Sequence, residues 1–250
     1  MKAIVFDVGG VFRDSSEAVY EGIKRGFQTY DTEFPFKNKD PWHLRGIGKY
    51  NNSGNCIKAL LAFSRSEQNL MEIMKGDNPE HHIDEIIAEY VSDNNNELID
   101  GIRSEYKKFF YSPEAGKLIH LYPGVKEAID ILSGKYRLAL FTNTRVSSVK
   151  RDLAGIGLER FESIIDENSV SHKKPSGEGI LKVCESLGEE PKNSCYVGDS
   201  VVDILASRDA GCTSIALTCG MGLRNYLERE NPDYIFNNLL EMAQFMKNQS

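Results

Sequence analysis

The sequence KAIVFDVGGV at residues 2–11 decides the fold of this 250-residue chain. Residues 3–6 form a short apolar run that predicts a buried strand, and Asp7 follows directly at its end. Open α/β sheets gather their ligands at the carboxyl ends of strands, where loops and helix starts expose side chains and backbone N–H groups. Asp7 is therefore a candidate for chemistry, although an isolated aspartate at a strand end is more commonly a turn or helix-capping residue.

Further short runs of this kind recur along the chain, with helical patterns between them. They occupy residues 137–142, 163–165, 194–197, 213–217 and 233–236. Strands that alternate with helices indicate parallel pairing through helical crossovers. The sequence therefore predicts the α/β fold class, with a Rossmann-like parallel sheet as its core.

The gap between the first two strands is too long for a single crossover. It reads as helices broken by polar stretches, and residues 83–90 show the apolar spacing of an amphipathic helix. We therefore predict an inserted α-helical cap domain at residues 14–120, with residues 1–13 and 121–250 forming the α/β core. The turn-prone segment YPGV at 122–125 marks the return to that core.

The composition favours a small substrate over a macromolecular partner. A formal net charge of -7 and a pI near 5.4 provide no general attraction to nucleic acid or to an anionic membrane surface. The five cysteines form no CxxC pair, which argues against a disulfide framework or a zinc site. The chain start is too short for a signal-peptide core, and no apolar run approaches the ~20 residues that span a bilayer. We expect a cytoplasmic protein, and the sequence does not determine its oligomeric state.

Two further strand ends carry polar residues, which are Thr142 and Asp199. Asp203 follows Asp199 by one helical turn, so both carboxylates can face the same cavity. With Asp7 nearby, each close pair of anions would cost about 4 kcal/mol at about 4 Å and an effective dielectric of about 20. Such a cluster needs a cation, and hard carboxylate and carbonyl oxygens suit Mg²⁺.

A lysine that directly precedes a proline, Lys174, lies in the chain between the second and third of these strand ends. Together the candidates resemble the four ordered motifs of the haloacid dehalogenase superfamily, whose members mostly transfer phosphoryl groups with magnesium. In this chain the four motifs are carried by Asp7, Thr142, Lys174 and the Asp199/Asp203 pair. The resemblance covers nearly the whole chain, because residues 11–15, 218–222 and 231–235 are similar to segments of phosphoglycolate-phosphatase-like members with a helical cap.

The resemblance implies a role for each candidate in the core. Asp7 would be the nucleophile that forms an aspartyl-phosphate, and Lys174 would be the second catalytic residue. Thr142 and Asn143 would hold the phosphate oxygens. The ligands of Mg²⁺ would be Asp7, Gly9 through its backbone carbonyl, Asp199 and Asp203, the last of which could instead orient metal-bound water or Lys174.

The resemblance also points to residues 42–49 of the predicted cap as a specificity loop. Arg45 or Lys49 would bind a carboxylate of the substrate, and His43 could carry a proton near neutral pH. Taken singly, each of these three residues reads equally well as an ordinary surface side chain.

Gly9 departs from the superfamily pattern, because phosphatases of the superfamily usually carry a second aspartate at this place. Glycine keeps the backbone carbonyl but lacks the acid that protonates the leaving oxygen and then activates water. General acid–base help is typically about 10²- to 10⁴-fold. The protein would then be a slow phosphatase, prefer good leaving groups, or take a proton carrier from the cap.

The function that the sequence favours is Mg²⁺-dependent hydrolysis of a small, phosphoglycolate-like phosphomonoester, and three others stay open. Phosphonoacetaldehyde hydrolases also lack the second aspartate and would use Lys49 as a Schiff base to cleave a C–P bond, although that branch usually has arginine where this chain has Lys174. Haloacid dehalogenases also lack an acid at the second position and need no magnesium. The acidic Asp199/Asp203 pair of this chain argues against assigning it to that branch. A non-catalytic phosphate-binding module would not be expected to keep the nucleophile and the metal ligands together.

Overall fold

The computed structural model describes residues 1–248, and the chain divides into two compact units. The core unit comprises Met1–Asp14 and the chain from His120 onward, and the insert unit comprises Ser15–Ile119. These bounds lie within one residue of those expected from the sequence. The role of the insert unit as a cap stays a prediction.

The core unit is built on a parallel sheet. The strands of the described chain are β1 (Ala3–Phe6), β2 (Arg13–Asp14), β3 (His120–Leu121), β4 (Arg137–Phe141), β5 (Phe161–Ile165), β6 (Ser194–Gly198), β7 (Thr213–Leu217) and β8 (Tyr234–Phe236). Six of them form one sheet in the order β5-β4-β1-β6-β7-β8, with all neighbours parallel. The α/β class predicted from the sequence is therefore confirmed, and the observed strands differ from the predicted ones by at most two residues at either end.

Helices make up most of the remaining structure. The helices of the insert unit are α1 (Ser16–Thr29), α2 (Asp40–Arg45), α3 (Ser53–Arg65), α4 (Leu70–Lys75), α5 (Pro79–Tyr90), α6 (Asn96–Phe110) and α7 (Pro113–Gly116). Those of the core unit are α8 (Val125–Ser133), α9 (Val146–Asp152), α10 (Glu178–Leu187), α11 (Val201–Ala210), α12 (Arg224–Arg229) and α13 (Leu239–Asn248). Within residues 1–248, no helix combines the length and apolar composition that crossing a bilayer requires.

Strand β1 shows how the core unit is layered. Successive side chains of a strand point to opposite faces of the sheet, and all four residues of β1 are fully buried. Ile4 and Phe6 pack into a cluster with side chains of α8 and α13, whereas Ala3 and Val5 pack into a second cluster with side chains of α10 and α11. Burial of one large apolar side chain stabilises the fold by roughly 1.5–3 kcal/mol. The packing of β1 against helices on both faces therefore stabilises its position inside the sheet.

The insert unit is held together by the close packing of α1 against α6. A Cβ built on Gly26 would lie 2.7 Å from the carbonyl oxygen of Ile102, and one on Gly22 would lie 2.9 Å from the ring of Tyr106. Glycine at these places lets the two helix backbones approach each other. The apolar stripe predicted within residues 83–90 lies on α5, where Ile83 and Ile86 are buried.

The chain leaves and re-enters the core unit through the adjacent strands β2 and β3. They form an antiparallel pair in which Arg13 lies opposite Leu121 and Asp14 lies opposite His120. Arg13 is 1% exposed and forms a buried ion pair with Asp152 at the end of α9. This ion pair ties the crossing strand to the helix that follows β4, and the sequence pattern alone did not predict it.

Candidate active site

The site lies at the carboxyl ends of β4, β1 and β6, three adjacent inner strands of the sheet. In register, Phe6 of β1 pairs with Leu140 of β4 and with Val197 of β6. Asp7, Thr142 and Asp199 follow these strands, so the parallel pairing brings them to one edge. Backbone hydrogen bonds between neighbouring strands continue past the strand ends. Asp7 N donates to Val197 O at 2.8 Å, and Thr142 N donates to Ile165 O at 3.1 Å.

Lys174 joins the carboxylates at this edge. Its Nζ donates to Asp7 Oδ1 at 2.9 Å, to Asp203 Oδ1 at 2.7 Å and to the Tyr196 hydroxyl at 3.1 Å. The Tyr196 hydroxyl in turn donates to Phe141 O at 2.8 Å. The Lys174 side chain is only 4% exposed, so its charge is balanced by buried groups and not by solvent. Sequence reasoning missed Tyr196, which shows no signal beyond its place on the strand that precedes Asp199.

Asp203 faces the site for a reason that its spacing from Asp199 did not reveal. Its Oδ2 accepts hydrogen bonds from Ser200 N at 3.0 Å, Ser200 Oγ at 2.5 Å and Asp199 N at 3.2 Å, forming a capping box at the start of α11. Its Oδ1 remains directed at Lys174. The motif S-x-x-D at 200–203 was the available signal for this arrangement, because Ser is a favoured N-cap residue.

Asp199 is fully buried and tightly enclosed by backbone. Met221 N donates to its Oδ2 at 2.6 Å, and Gly222 N donates to its carbonyl oxygen at 2.8 Å. A Cβ at Gly10 or at Gly220 would overlap the Asp199 carboxylate, so both positions require glycine. Oδ1 of Asp199 is buried and has no hydrogen-bond partner among the described residues. A buried anionic oxygen without a partner is costly, and it indicates a missing ligand.

The three carboxylates form a cluster that fits a cation. Ligand oxygens of Asp7, Asp199 and Asp203 all lie within 4.8 Å of one another, and all three residues are buried. Burial raises the pKa of Asp7, and Lys174 offsets this only in part. Burial and the nearby Asp203 and Asp7 raise the pKa of Asp199 well above its ordinary value. A hard divalent cation such as Mg²⁺ would relieve this repulsion and would satisfy Asp199 Oδ1.

The pKa of Lys174 moves in the opposite sense to that of an isolated buried amine. Burial by itself lowers its pKa, but the carboxylates of Asp203 and Asp7 together raise the pKa well above the ordinary lysine value. Lys174 therefore stays a cation at neutral pH. It can attract a phosphate oxygen while it holds Asp7 in a fixed orientation.

Thr142 and Asn143 lie in the loop after β4. The Thr142 hydroxyl oxygen accepts from Thr144 N at 3.3 Å, and Thr142 follows the strand that pairs with β1 beside Asp7. Asn143 Oδ1 accepts from the backbone N–H of Lys174 at 3.4 Å. The structure thus gathers both residues with Asp7 and Lys174, and Asn143 helps to place the loop that carries Lys174.

Asp166 is a further buried carboxylate next to this loop, and sequence reasoning missed it. It directly follows β5 and accepts hydrogen bonds from Val146 N at 3.0 Å, Asn168 N at 3.1 Å and Ser169 Oγ at 3.0 Å. Burial alone would raise the pKa of Asp166, but these hydrogen bonds lower it. The signal was available, because Asp166 follows a strand just as Asp7 does. Its partners show that it joins the loop after β5 to the start of α9.

Gly9 leaves open space beside the candidate nucleophile. Outside the residues adjacent in the chain, the nearest heavy atom to a Cβ built on Gly9 would be Asp7 Oδ2, at 4.0 Å. In contrast to Gly10, whose φ is +74°, Gly9 does not have a left-handed backbone. Position 9 therefore has room for a side chain and a backbone that an L residue can adopt.

The remaining predicted residues, Arg45 and Lys49, belong to the insert unit. Arg45 donates to the Tyr106 hydroxyl at 3.0 Å and to Asn51 O at 3.3 Å. Lys49 forms an ion pair with Asp84, and its side chain is 47% exposed within the structure. These contacts lie inside the insert unit, so roles of Arg45 and Lys49 in substrate binding stay predictions.

The fold and the site define an α/β protein whose ligand site lies at the carboxyl ends of its central parallel strands. The sequence model of the family described as haloacid dehalogenase-like hydrolases matches residues 1–211, and the chain belongs to this family. The resemblance inferred from the four motifs is therefore confirmed.

The chain is also similar to individual members. It is 32% identical to the phosphoglycolate phosphatase of Haemophilus influenzae over 145 residues, which are 57% of this chain and 65% of that protein. The match thus spans just under two thirds of that relative's length. It is 27% identical to the phosphoglycolate phosphatase of Shigella boydii over 244 residues, 97% of this chain and 91% of that protein. The crystal structure of a predicted phosphoglycolate phosphatase from Haemophilus somnus superimposes with a TM-score of 0.70 at 20% identity over 98% of both chains, which shows the shared fold.

Proposed function

We propose that this protein is a Mg²⁺-dependent phosphatase that hydrolyses a small phosphomonoester through an aspartyl-phosphate on Asp7. The observation that carries the proposal is the buried cluster in which Lys174 bridges Asp7 and Asp203 beside the unpartnered Oδ1 of Asp199. A nucleophilic carboxylate, a fixed cation and a set of oxygen ligands for a metal are what phosphoryl transfer requires. The phosphoglycolate phosphatases among its relatives make phosphoglycolate the first substrate to assay.

The metal would be held by carboxylate oxygens of Asp7, Asp199 and Asp203 and by the backbone carbonyl of Gly9. When bound, Mg²⁺ supplies positive charge that offsets the charge of the phosphate and of the carboxylates. This assignment is supported by the buried, unpartnered Asp199 oxygen and by a donor set made only of oxygen.

The chain's own residues would perform the two steps. Thr142 and Asn143 would hold phosphate oxygens and the charge of Lys174 would attract them, while an Asp7 carboxylate oxygen attacks phosphorus and the bond to the leaving oxygen breaks. Water then attacks the phosphorus of the aspartyl-phosphate and releases phosphate and free Asp7. The insert unit would act as the cap, with Arg45 and Lys49 as its contacts for a substrate carboxylate.

The test is phosphate release from a panel that includes phosphoglycolate and p-nitrophenyl phosphate, with Mg²⁺ or with EDTA. We expect Mg²⁺-dependent release that Asp7→Asn abolishes. Asp100→Asn, the same chemical change at an exposed position of α6, is the matched control and should behave as the wild type. Release that survives in Asp7→Asn would refute the proposal, and assays with phosphonoacetaldehyde and then phosphate binding would follow.

A further inference from the structure

The open space at residue 9 is the place from which a side chain could serve the leaving group. A Cβ there would lie 4.0 Å from Asp7 Oδ2, so an acid at residue 9 would reach the immediate surroundings of the nucleophile. The chain has a glycine instead. Any proton for the leaving oxygen must come from another group.

In the core unit, the N–H and O–H groups that contact Asp7 directly, or through Lys174, already have partners. The ammonium of Lys174 makes three contacts, to Asp7, Asp203 and Tyr196, which match its three N–H bonds. The proton of the Tyr196 hydroxyl is engaged with Phe141 O. The hydrogen bonds that hold the nucleophile in place thus use the protons that catalysis would otherwise need.

The lack of an acid at residue 9 affects the leaving oxygen in the first step and the attacking water in the second. In the first step a bond forms between Asp7 and phosphorus, the bond from phosphorus to the leaving oxygen breaks, and its electron pair stays on that oxygen. Without an acid the oxygen leaves as an anion, whose energy depends on the acidity of the parent hydroxyl compound. In the second step the oxygen of water bonds to phosphorus, the bond to Asp7 breaks, and the water proton passes to solvent without a neighbouring base.

We infer that this site acts best on phosphoryl donors with an acidic leaving group, which are aryl, enol and acyl phosphates, and only slowly on simple alkyl phosphates such as phosphoglycolate. This inference rests on the proposed function and narrows its substrate class.

The test compares kcat/KM for dinitrophenyl, p-nitrophenyl and phenyl phosphate, in order of falling acidity of the leaving phenol. For the wild type, we expect kcat/KM to fall steeply from dinitrophenyl phosphate to phenyl phosphate. Gly9→Asp should flatten the series, with a gain of about 10²- to 10⁴-fold for phenyl phosphate and the smallest gain for dinitrophenyl phosphate. Gly9→Asn is the matched control, because it fills the same space with a side chain that does not act as an acid, and it should keep the steep fall.

A second readout does not depend on turnover. With dinitrophenyl phosphate the first step needs no acid, whereas the second step still lacks a base, so the wild type should accumulate the aspartyl-phosphate. Intact mass after an acid quench should show one added phosphoryl group, located on the peptide that contains Asp7. Gly9→Asp should show less of this species, because its carboxylate can activate water.

The outcomes separate the inference from the proposed function. A wild-type kcat/KM that changes little along the series, or equal increases of kcat/KM in Gly9→Asn and Gly9→Asp, would overturn the inference. The protein would still be a phosphatase. Failure to release phosphate even from dinitrophenyl phosphate, or equal release in Asp7→Asn, would overturn the proposed function and the inference with it.

Discussion

Lys174 is the residue that makes the buried carboxylates compatible with a folded core. Two aspartates contact its ammonium, and all three side chains are at most 7% exposed. Breaking a buried ion pair by removing one partner commonly costs about 3–5 kcal/mol, because the remaining charge is left without compensation. The same lysine is therefore important for stability and for holding a phosphate.

We predict that Lys174→Met lowers the free energy of unfolding in EDTA by about 3 kcal/mol or more and abolishes phosphate release. Urea unfolding near neutral pH measures the first effect. Lys192→Met is the control, because Lys192 forms an ion pair on the surface with 75% of its side chain exposed, and such pairs contribute about 1 kcal/mol or less. Equal losses in the two variants would contradict a special role for Lys174.

Asp203 illustrates what residue spacing can and cannot reveal. Its distance of four positions from Asp199 correctly suggested that the two carboxylates are near each other. Spacing did not show that one Asp203 oxygen caps α11 and only the other faces Lys174. That division depends on the side-chain conformations of Ser200 and Asp203.

The loop after β4 and the start of α9 form the element that Asp166 holds in place. Asp166 binds Val146 N on one side and the backbone of its own loop on the other. Thr142 and Asn143 lie just before α9 in the chain. The orientation of these phosphate-holding candidates therefore depends on a carboxylate that is not itself part of the acidic cluster.

We predict a pH-dependent loss of stability in Asp166→Asn. Because the folded-state pKa of Asp166 is lowered from its ordinary value of 3.8, its stabilising contribution is complete above that value and is lost as the pH falls through the folded-state pKa. The variant should be less stable than the wild type by about 2 kcal/mol near neutral pH, and the difference should shrink in urea unfolding below about pH 3.8. Asp100→Asn should show no such difference, and a gap that stays constant with pH would contradict this account.

The division into two units organises the molecule as a whole. The core unit carries the acidic cluster, and the insert unit has its own packing between α1 and α6. Damage confined to one unit is therefore expected to appear first in that unit's local stability.

We predict that Gly26→Val destabilises the insert unit by about 2 kcal/mol or more, because its Cβ would press on the backbone of Ile102. Hydrogen exchange should accelerate in α1 and α6 and change little in β1 and β6. Ala88→Val places the same β-branched side chain on an exposed position of α5 and should leave α1 and α6 protected. Faster exchange throughout the chain would show that the two units unfold together.

The sequence was sufficient to predict the strands, the α/β class and the meeting of Asp7, Thr142 and Asp199. Those features depend on local apolar patterns and on the rule that parallel strands end at one edge of a sheet. The network through Tyr196, the Asp166 anchor and the buried Arg13–Asp152 pair could not be predicted, because each joins residues that are distant in the chain and that no periodicity relates.

By itself, the sequence determined which chemical groups the protein has, their order along the strands and the absence of an acid at residue 9. The tertiary structure alone decided that Lys174 reaches Asp7 and Asp203, that one oxygen of Asp199 has no partner among the described residues, and that the space beside Gly9 is open. The physical reason is that local patterns report which face of an element is buried, whereas the partners of a buried polar group depend on the close packing of several elements at once.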